Sequence, residues 1–257
     1  MNLRLTDQVV FVAGSSRGIG RAIATALLEE GARVVFTGRN EETLERTIAD
    51  VATAENHSRI LPISGDFTDH NSIRSAFATT IGHFGRIDHL IANLGTGSGT
   101  PGATPPPDDW TRLFEQNFFA SVRLTEACLP HLRNYGGSIL YISSIVAVEA
   151  TPAPLPYCAA KAALNNYAKN LSRHLAGDNI RVNTICPGNI LFPGGTWERH
   201  LKKNREPVEA MLLSEVPQNR FGTPEEIASL AAYLCSPLAA FSTGGTYIMD
   251  GGQTRSI

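Results

Sequence analysis

Short apolar runs rich in β-branched residues alternate with segments of helical period along almost the entire chain, and this pattern limits the fold more than any other feature. The runs are VVFVA from Val9, RVVFT from Arg33, RILPIS from Arg59, HLIAN from His89, SILYIS from Ser138, IRVNTI from Ile180 and TYIM from Thr246. Between them, Ile19, Ala22, Ile23, Ala26 and Leu27 recur at i, i+3, i+4, i+7 and i+8, one apolar stripe on a helix. Leu44, Ile48, Val51 and Ala52 form a second stripe. Leu113, Phe114, Asn117, Phe118 and Ser121 form a third, and Leu164, Tyr167, Ala168, Leu171 and Leu175 a fourth. Strand–helix alternation predicts βαβ units and a parallel sheet. Strands that read as continuous apolar runs predict helices on both faces of that sheet. The alternation has no linker, so residues 1–257 are expected to form one α/β domain. The stretch of linker-like composition, Gly95 to Asp109, follows the fourth strand. It is either a mobile surface loop or the rim of a site, because open α/β sheets bind ligands beyond their strand C-termini.

A net charge of −2 gives no field favouring nucleic acid or an acidic membrane. No apolar run approaches the ~20 residues of a membrane span. The start, MNLRLTDQVV, lacks the apolar core of a signal peptide. Cys128, Cys158, Cys186 and Cys235 are widely spaced, without a CxxC pair or a metal-ligand cluster. They read as reduced thiols in a cytoplasmic protein, and no metal is expected.

The first strand runs into Gly14-Ser15-Ser16-Arg17-Gly18-Ile19-Gly20, and a helix follows. Glycines allow the tight turn and a close approach of backbone to a pyrophosphate. The helix N-terminus offers free N–H groups and the positive end of its dipole. The spacing is GxxxGxG and no Lys-Ser/Thr pair follows, which argues against a P-loop. The second strand ends at Gly38-Arg39, where a dinucleotide fold would carry an acid for the adenosine ribose hydroxyls. Arg17 and Arg39 are either solvated or converge on a ribose 2′-phosphate, which a guanidinium binds bidentately. The second reading favours NADP(H) over NAD(H). Glu41 and Glu42 are expected to open the next helix.

With these residues in place the chain resembles the classical short-chain dehydrogenases/reductases over its whole length, closest in type to 3-oxoacyl-carrier-protein reductases and sugar dehydrogenases. The marks are Gly14-x3-Gly18-x-Gly20, Asp66 in GDFTD, Asn93-Leu94-Gly95, Asn117 in QNFFAS, Ser143-Ser144, Tyr157-x3-Lys161, Arg181-Val182-Asn183, Pro187-Gly188, RFGTPEEIA from Arg220 and Asp250-Gly251-Gly252. The resemblance implies a single-domain Rossmann fold with a seven-stranded parallel sheet and three helices on each face. It implies a catalytic set of Asn117, Ser144, Tyr157 and Lys161, with Ser143 the alternative serine. For the cofactor it implies Gly14, Ser16, Arg17, Gly18, Ile19, Gly20, Arg39, Asp66, Phe67, Asn93, Gly95, Tyr157, Lys161, Pro187, Gly188 and Ile190. It further implies a homotetramer or homodimer. The small residues Ala159, Ala160, Ala162 and Ala163 would allow close helix approach between subunits, or pack inside the monomer.

The chemistry these residues suit is hydride transfer between a nicotinamide and a carbonyl or secondary alcohol. Tyr157 and Lys161, at i and i+4, share a helix face. A lysine ammonium beside a phenol would lower its pKa from ~10 by roughly 1–3 units, toward the range useful for acid–base work. Tyr157 would exchange the proton, Ser144 would hydrogen-bond the same oxygen, Lys161 would hold the nicotinamide ribose and Asn117 would anchor water. A binding or scaffold protein without turnover is the competing class, and such proteins usually lack one of these residues.

Departures from the family pattern gather after Pro187-Gly188. Phe192 stands where a threonine often binds the nicotinamide amide, so that contact is expected either from elsewhere, such as backbone at Ile190, or in weaker form. Residues 189–216 are expected to cover the substrate, with Phe192 and Trp197 as aromatic walls. The basic residues Arg199, His200, Lys202, Lys203 and Arg205 either bind an anionic substrate or form a solvated helix face diluted by Glu198 and Glu206.

Overall fold

The computed structural model describes residues 2–255; Met1, Ser256 and Ile257, which the single-domain expectation includes, lie outside the described residues. Each apolar run becomes a strand: β1 Val9–Ala13, β2 Arg33–Gly38, β3 Ile60–Ser64, β4 His89–Ala92, β5 Gly137–Ile142, β6 Ile180–Pro187 and β7 Thr246–Met249. They form one seven-stranded sheet in the order β3-β2-β1-β4-β5-β6-β7, parallel at every pairing. This is the doubly wound order. The chain builds outward from β1 to β3, then returns past β1 to β4, so the switch point lies between β1 and β4.

Strand residues alternate between two cores. Val10 and Val12 face α1 (Gly18–Glu29), α2 (Glu41–Val51) and α9 (Pro224–Cys235). Val9, Phe11 and Ala13 face α3 (His70–Phe84), α5 (Ala120–Tyr135) and α6 (Leu155–Leu175), where Phe11 stacks on Phe77 at 4.5 Å. The remaining helices are α4 (Pro107–Phe114), α7 (Thr196–Lys203) and α8 (Arg205–Glu215). Local chemistry sets the helix starts. Asn40 caps α2 by accepting from the Thr43 N–H at 2.7 Å, with Glu41 and Glu42 in the first turn. Thr223 and Glu226 form a reciprocal capping box at α9.

Two expectations about boundaries change. The linker-like stretch ends at Pro106, because Pro107–Asp109 already form the first turn of α4, where proline and acids are favoured. The stripe from Leu113 to Ser121 is one helical path broken by a π-turn at Glu115–Phe119. Of the small residues on α6, Ala160 is buried inside the monomer, whereas Ala162 is exposed.

Candidate active site

The cleft opens at the switch point. Gly14 ends the β1 turn with φ +70°, and a Cβ there would lie 2.8 Å from the Asn93 carbonyl. Gly20 has still less room. A Cβ would meet the Gly14 carbonyl oxygen at 2.2 Å and the Asn93 side-chain nitrogen at 2.4 Å. Asn93 closes the arrangement by donating from Nδ2 to that same Gly14 oxygen at 3.0 Å. Asn93 therefore joins the end of β4 to the glycine turn, a scaffolding role as well as a place in the cleft wall. Gly18 has φ +56° and begins α1, and the Phe192 ring packs directly on it.

Of the expected cofactor residues, Gly14, Ser16, Arg17, Ile19, Arg39, Asp66, Phe67, Asn93, Gly95, Tyr157 and Lys161 line this one cleft. Gly18 and Gly20 lie behind it as packing positions. Pro187, Gly188 and Ile190 are not in its wall. Gly188 is fixed against Asp250 and β7, and Ile190 is buried in the α1/α9 core and bridged to Gly222. In that bridge Asn189 O and Leu191 N make the hydrogen bonds, so Ile190's own N–H and C=O face away from Gly222. The end of β2 carries no carboxylate; at Gly38 a Cβ would lie 2.8 Å from the Ser16 side chain, so a larger residue there would have to displace Ser16. Asp66 turns its carboxylate to the Thr68 N–H and hydroxyl, at 2.9 and 2.8 Å.

The catalytic candidates come from four elements. Asn117 sits fully buried in the π-turn. Its Oδ1 accepts from the Thr96 N–H and its Nδ2 donates to the Thr96 carbonyl, both at 3.0 Å. This exchange pins the Gly-rich loop after β4 against the helix. Ser144 follows β5 and caps a short 3₁₀ turn, and its hydroxyl reaches Tyr157. Ser143 is in the cleft wall, with Oγ donating to the Lys161 carbonyl at 3.4 Å, whereas Ser144 and Asn117 stand behind that wall. Lys161 is 3% exposed; its ammonium donates to the Ile142 carbonyl at 2.9 Å and the Leu94 carbonyl at 3.5 Å, at the C-terminal ends of β5 and β4.

These placements correct the expected electrostatics. Burial pushes the Tyr157 phenol above its ordinary value, against the smaller opposing effect of the Ser144 hydrogen bond. Burial also lowers Lys161 to about 8. The ammonium is directed at strand-end carbonyls, so removing the phenol from water outweighs any lowering by the cation. A protonated phenol at neutral pH is the form that can donate to a carbonyl oxygen.

The segment after β6 brings further corrections. Trp197 is not a wall of the cleft; it packs on Phe221 at 5.5 Å and His200 at 5.4 Å. Phe192 is a wall and also packs against the α1/α9 core. The basic cluster is mostly a solvated face: Lys202 pairs with Glu198 at 3.0 Å and Arg205 with Glu209 at 2.9 Å. Sequence reasoning missed Thr96, Gln116 and Thr196 as cleft residues. Their signal, position next to Gly95, Asn117 and Gly195, becomes visible only once the loops are folded over the strand ends.

The glycine-cradled switch-point cleft, with Tyr157 and Lys161 in its wall and Ser144 bonded to Tyr157, is shared ground with oxidoreductases of CH–OH/C=O groups, as the comparisons with known proteins show. The family model described as Enoyl-(Acyl carrier protein) reductase matches residues 13–254. The chain is 31% identical to 2-(S)-hydroxypropyl-CoM dehydrogenase 3 of Xanthobacter autotrophicus, over 99% of each. It is 30% identical to the 3-oxoacyl-(acyl-carrier-protein) reductase of Thermotoga maritima, over 97% of this chain and 99% of that one. The crystal structure of L-sorbose reductase from Gluconobacter frateurii complexed with NADPH and L-sorbose superposes with a TM-score of 0.93 at 31% identity, covering 100% of both chains. A 7α-hydroxysteroid dehydrogenase complexed with NADH superposes with a TM-score of 0.89 at 30% identity, over 99% of this chain and 97% of that one. The chain belongs to the classical short-chain dehydrogenase/reductase family.

Proposed function

We propose that the protein is an NADP(H)-dependent carbonyl reductase and secondary-alcohol dehydrogenase with Tyr157 as its general acid and base. One observation carries this reading. Tyr157, hydrogen-bonded by Ser144, and Lys161 line the same cleft as Arg17 and Arg39, and the β2 terminus carries no carboxylate. The cleft suits a dinucleotide because side chains at Gly14, Gly20 and Gly38 would collide with its framework, which leaves bare backbone facing the ligand. Bound there, a reduced nicotinamide supplies hydride to the carbonyl carbon. Tyr157 then releases its proton to the developing alkoxide. Ser144 donates to the same oxygen, an interaction that strengthens as charge develops. Lys161, in the cleft wall, would hold the nicotinamide ribose and supply the positive potential that the phenolate needs. Asn117 holds the Thr96 loop in place and helps reprotonate the pair through water.

The substrates named for relatives suggest two classes for this site, a 3-oxoacyl thioester or a sugar. The pairing of Lys202 and Arg205 with glutamates favours an uncharged reacting portion over the anionic substrate. Residues 189–216 are assigned to cover it. We further propose a cytoplasmic homotetramer, supported by the four free cysteines and by Trp110, Phe119 and Leu155 exposed on and beside α4 to α6. Light scattering of the purified protein tests the assembly. For the activity, NADPH and NADH oxidation are followed with acetoacetyl thioesters, diketones, keto sugars and sugar phosphates. Turnover with NADPH that disappears in Tyr157→Phe is the expected result. NADH outperforming NADPH would reverse the reading of Arg17 and Arg39.

A further inference from the structure

The segment after β6 does more than border the substrate end of the cleft. It crosses the cleft and is held to the glycine turn. Arg17 Nη1 donates to the Gly194 carbonyl at 3.4 Å, and the Phe192 ring leaves no space above Gly18, where a Cβ would be 2.6 Å away. Glu198 holds the crossing from the other side by accepting the Gly194 N–H at 2.9 Å. The start of α7 therefore lies over the start of α1, the point at which this fold receives a pyrophosphate.

Arg199 is the member of the basic cluster that lines the cleft. Its Nη2 donates to Thr196 Oγ1 at 3.1 Å, and Thr196 lines the cleft with it. The neighbouring acid does not neutralise it, because Glu198 is bonded to the Gly194 N–H and to Lys202. Arg17 holds the same segment through the Gly194 carbonyl, and Arg39 lines the cleft just after the end of β2. We infer that Arg199 is a cofactor ligand whose guanidinium binds the pyrophosphate of the nicotinamide dinucleotide, so that the substrate-covering segment closes onto the cofactor through its own charge.

The inference rests on the dinucleotide reading of the cleft but not on the preference for NADP(H), since both cofactors carry the pyrophosphate. Titration of the purified protein with NADPH and NADH, followed by nicotinamide fluorescence at several salt concentrations, tests it. Arg199→Gln is expected to weaken both dinucleotides by similar factors, about tenfold, as for loss of one charge-assisted hydrogen bond. Its salt dependence should be shallower, and Arg199→Lys should recover part of the affinity. Arg39→Ala should weaken NADPH alone; if it does not, the NADP(H) preference fails and the assignment of Arg199 stands. Unchanged dissociation constants in Arg199→Gln would overturn the assignment. So would weakening confined to NADPH, or a raised Michaelis constant for the carbonyl with unchanged dinucleotide binding. Arg199 is exposed, and a thermal melt of each variant verifies that the fold is intact.

Discussion

At the N-terminal end of the sheet, Asp88 accepts Arg86 through Nε at 3.0 Å to both of its oxygens and takes the Val9 N–H at 2.8 Å. His89 beside it is held by Ser138 at 2.8 Å and Gln8 at 2.5 Å. Arg181 donates to three carbonyls at the end of α9, those of Leu234, Cys235 and Ser236. At the C-terminal end, Lys161 is as buried as Asp88 but, among the described residues, reaches two carbonyls, one of them at the 3.5 Å limit, and no carboxylate. Gln116 Oε1, on the wall of the same cleft, has no hydrogen-bond partner among the described residues. Both ends bury polar groups among β-strand termini. One end satisfies them within the fold, and the other leaves donors and acceptors with capacity to spare. Buried polar groups left short of partners are costly, and they persist where a ligand can complete them.

The sharpest way to break this contrast is to delete one group from each end. Tyr157→Phe should lower kcat for carbonyl reduction by about 10³-fold, within the range for a lost general acid, while the melting temperature stays nearly constant. Lys161→Met should lower kcat/KM by about 10²-fold, in keeping with the loss of a buried charge that supports proton transfer. In the parent enzyme, kcat/KM for the cofactor reports on the free protein. It should fall as pH rises through about 8, where Lys161 loses its proton, and Lys161→Met should lack that limb. Folding shows the same group with the opposite slope. Between about 8 and the ordinary value of 10.5 the unfolded chain binds the extra proton, so Lys161 makes stability rise with pH across that window.

Asp88→Ala should do the reverse of Tyr157→Phe. It should cost about 2–3 kcal/mol by stranding the Val9 N–H and Arg86, discounted because Arg86 is partly exposed, with turnover per folded molecule retained. Denaturant melts beside single-turnover assays measure both quantities. The smallest effect concerns His89, which burial lowers to about 4. The unfolded histidine, at 6.5, takes up a proton that the folded one refuses, so stability declines as pH falls from about 6.5 toward 4. His89→Gln should flatten this part of the acid limb, and an unchanged slope would assign it to the carboxylates alone.

The seven strands were legible because their runs are long in β-branched residues and bounded by turn signals, and all seven sit within a residue or two of their sequence limits. The glycine turn was legible because its backbone requirement is local. Harder to read was whatever depended on side chains meeting from distant elements. The stripe from Leu113 to Ser121 has helical period through the π-turn, and periodicity does not register one extra residue in a turn. Trp197 looked like a cleft wall by proximity in sequence, yet Phe221 takes its ring. The basic run after Arg199 looked like one patch. In the fold, α7 and α8 pair Lys202 and Arg205 to acids on their own helices, and only the turn of α7 points Arg199 into the cleft.

The sequence by itself determined the doubly wound sheet, the position of the switch-point cleft and the residue types that line it, because apolar period and glycine placement act over a few residues. The tertiary structure decided the state of those residues: a phenol raised by burial, a lysine turned to strand-end carbonyls and a crossing segment pinned on the glycine turn. Desolvation and partner choice depend on what 20 to 180 residues of intervening chain bring into contact, and no local pattern carries that information.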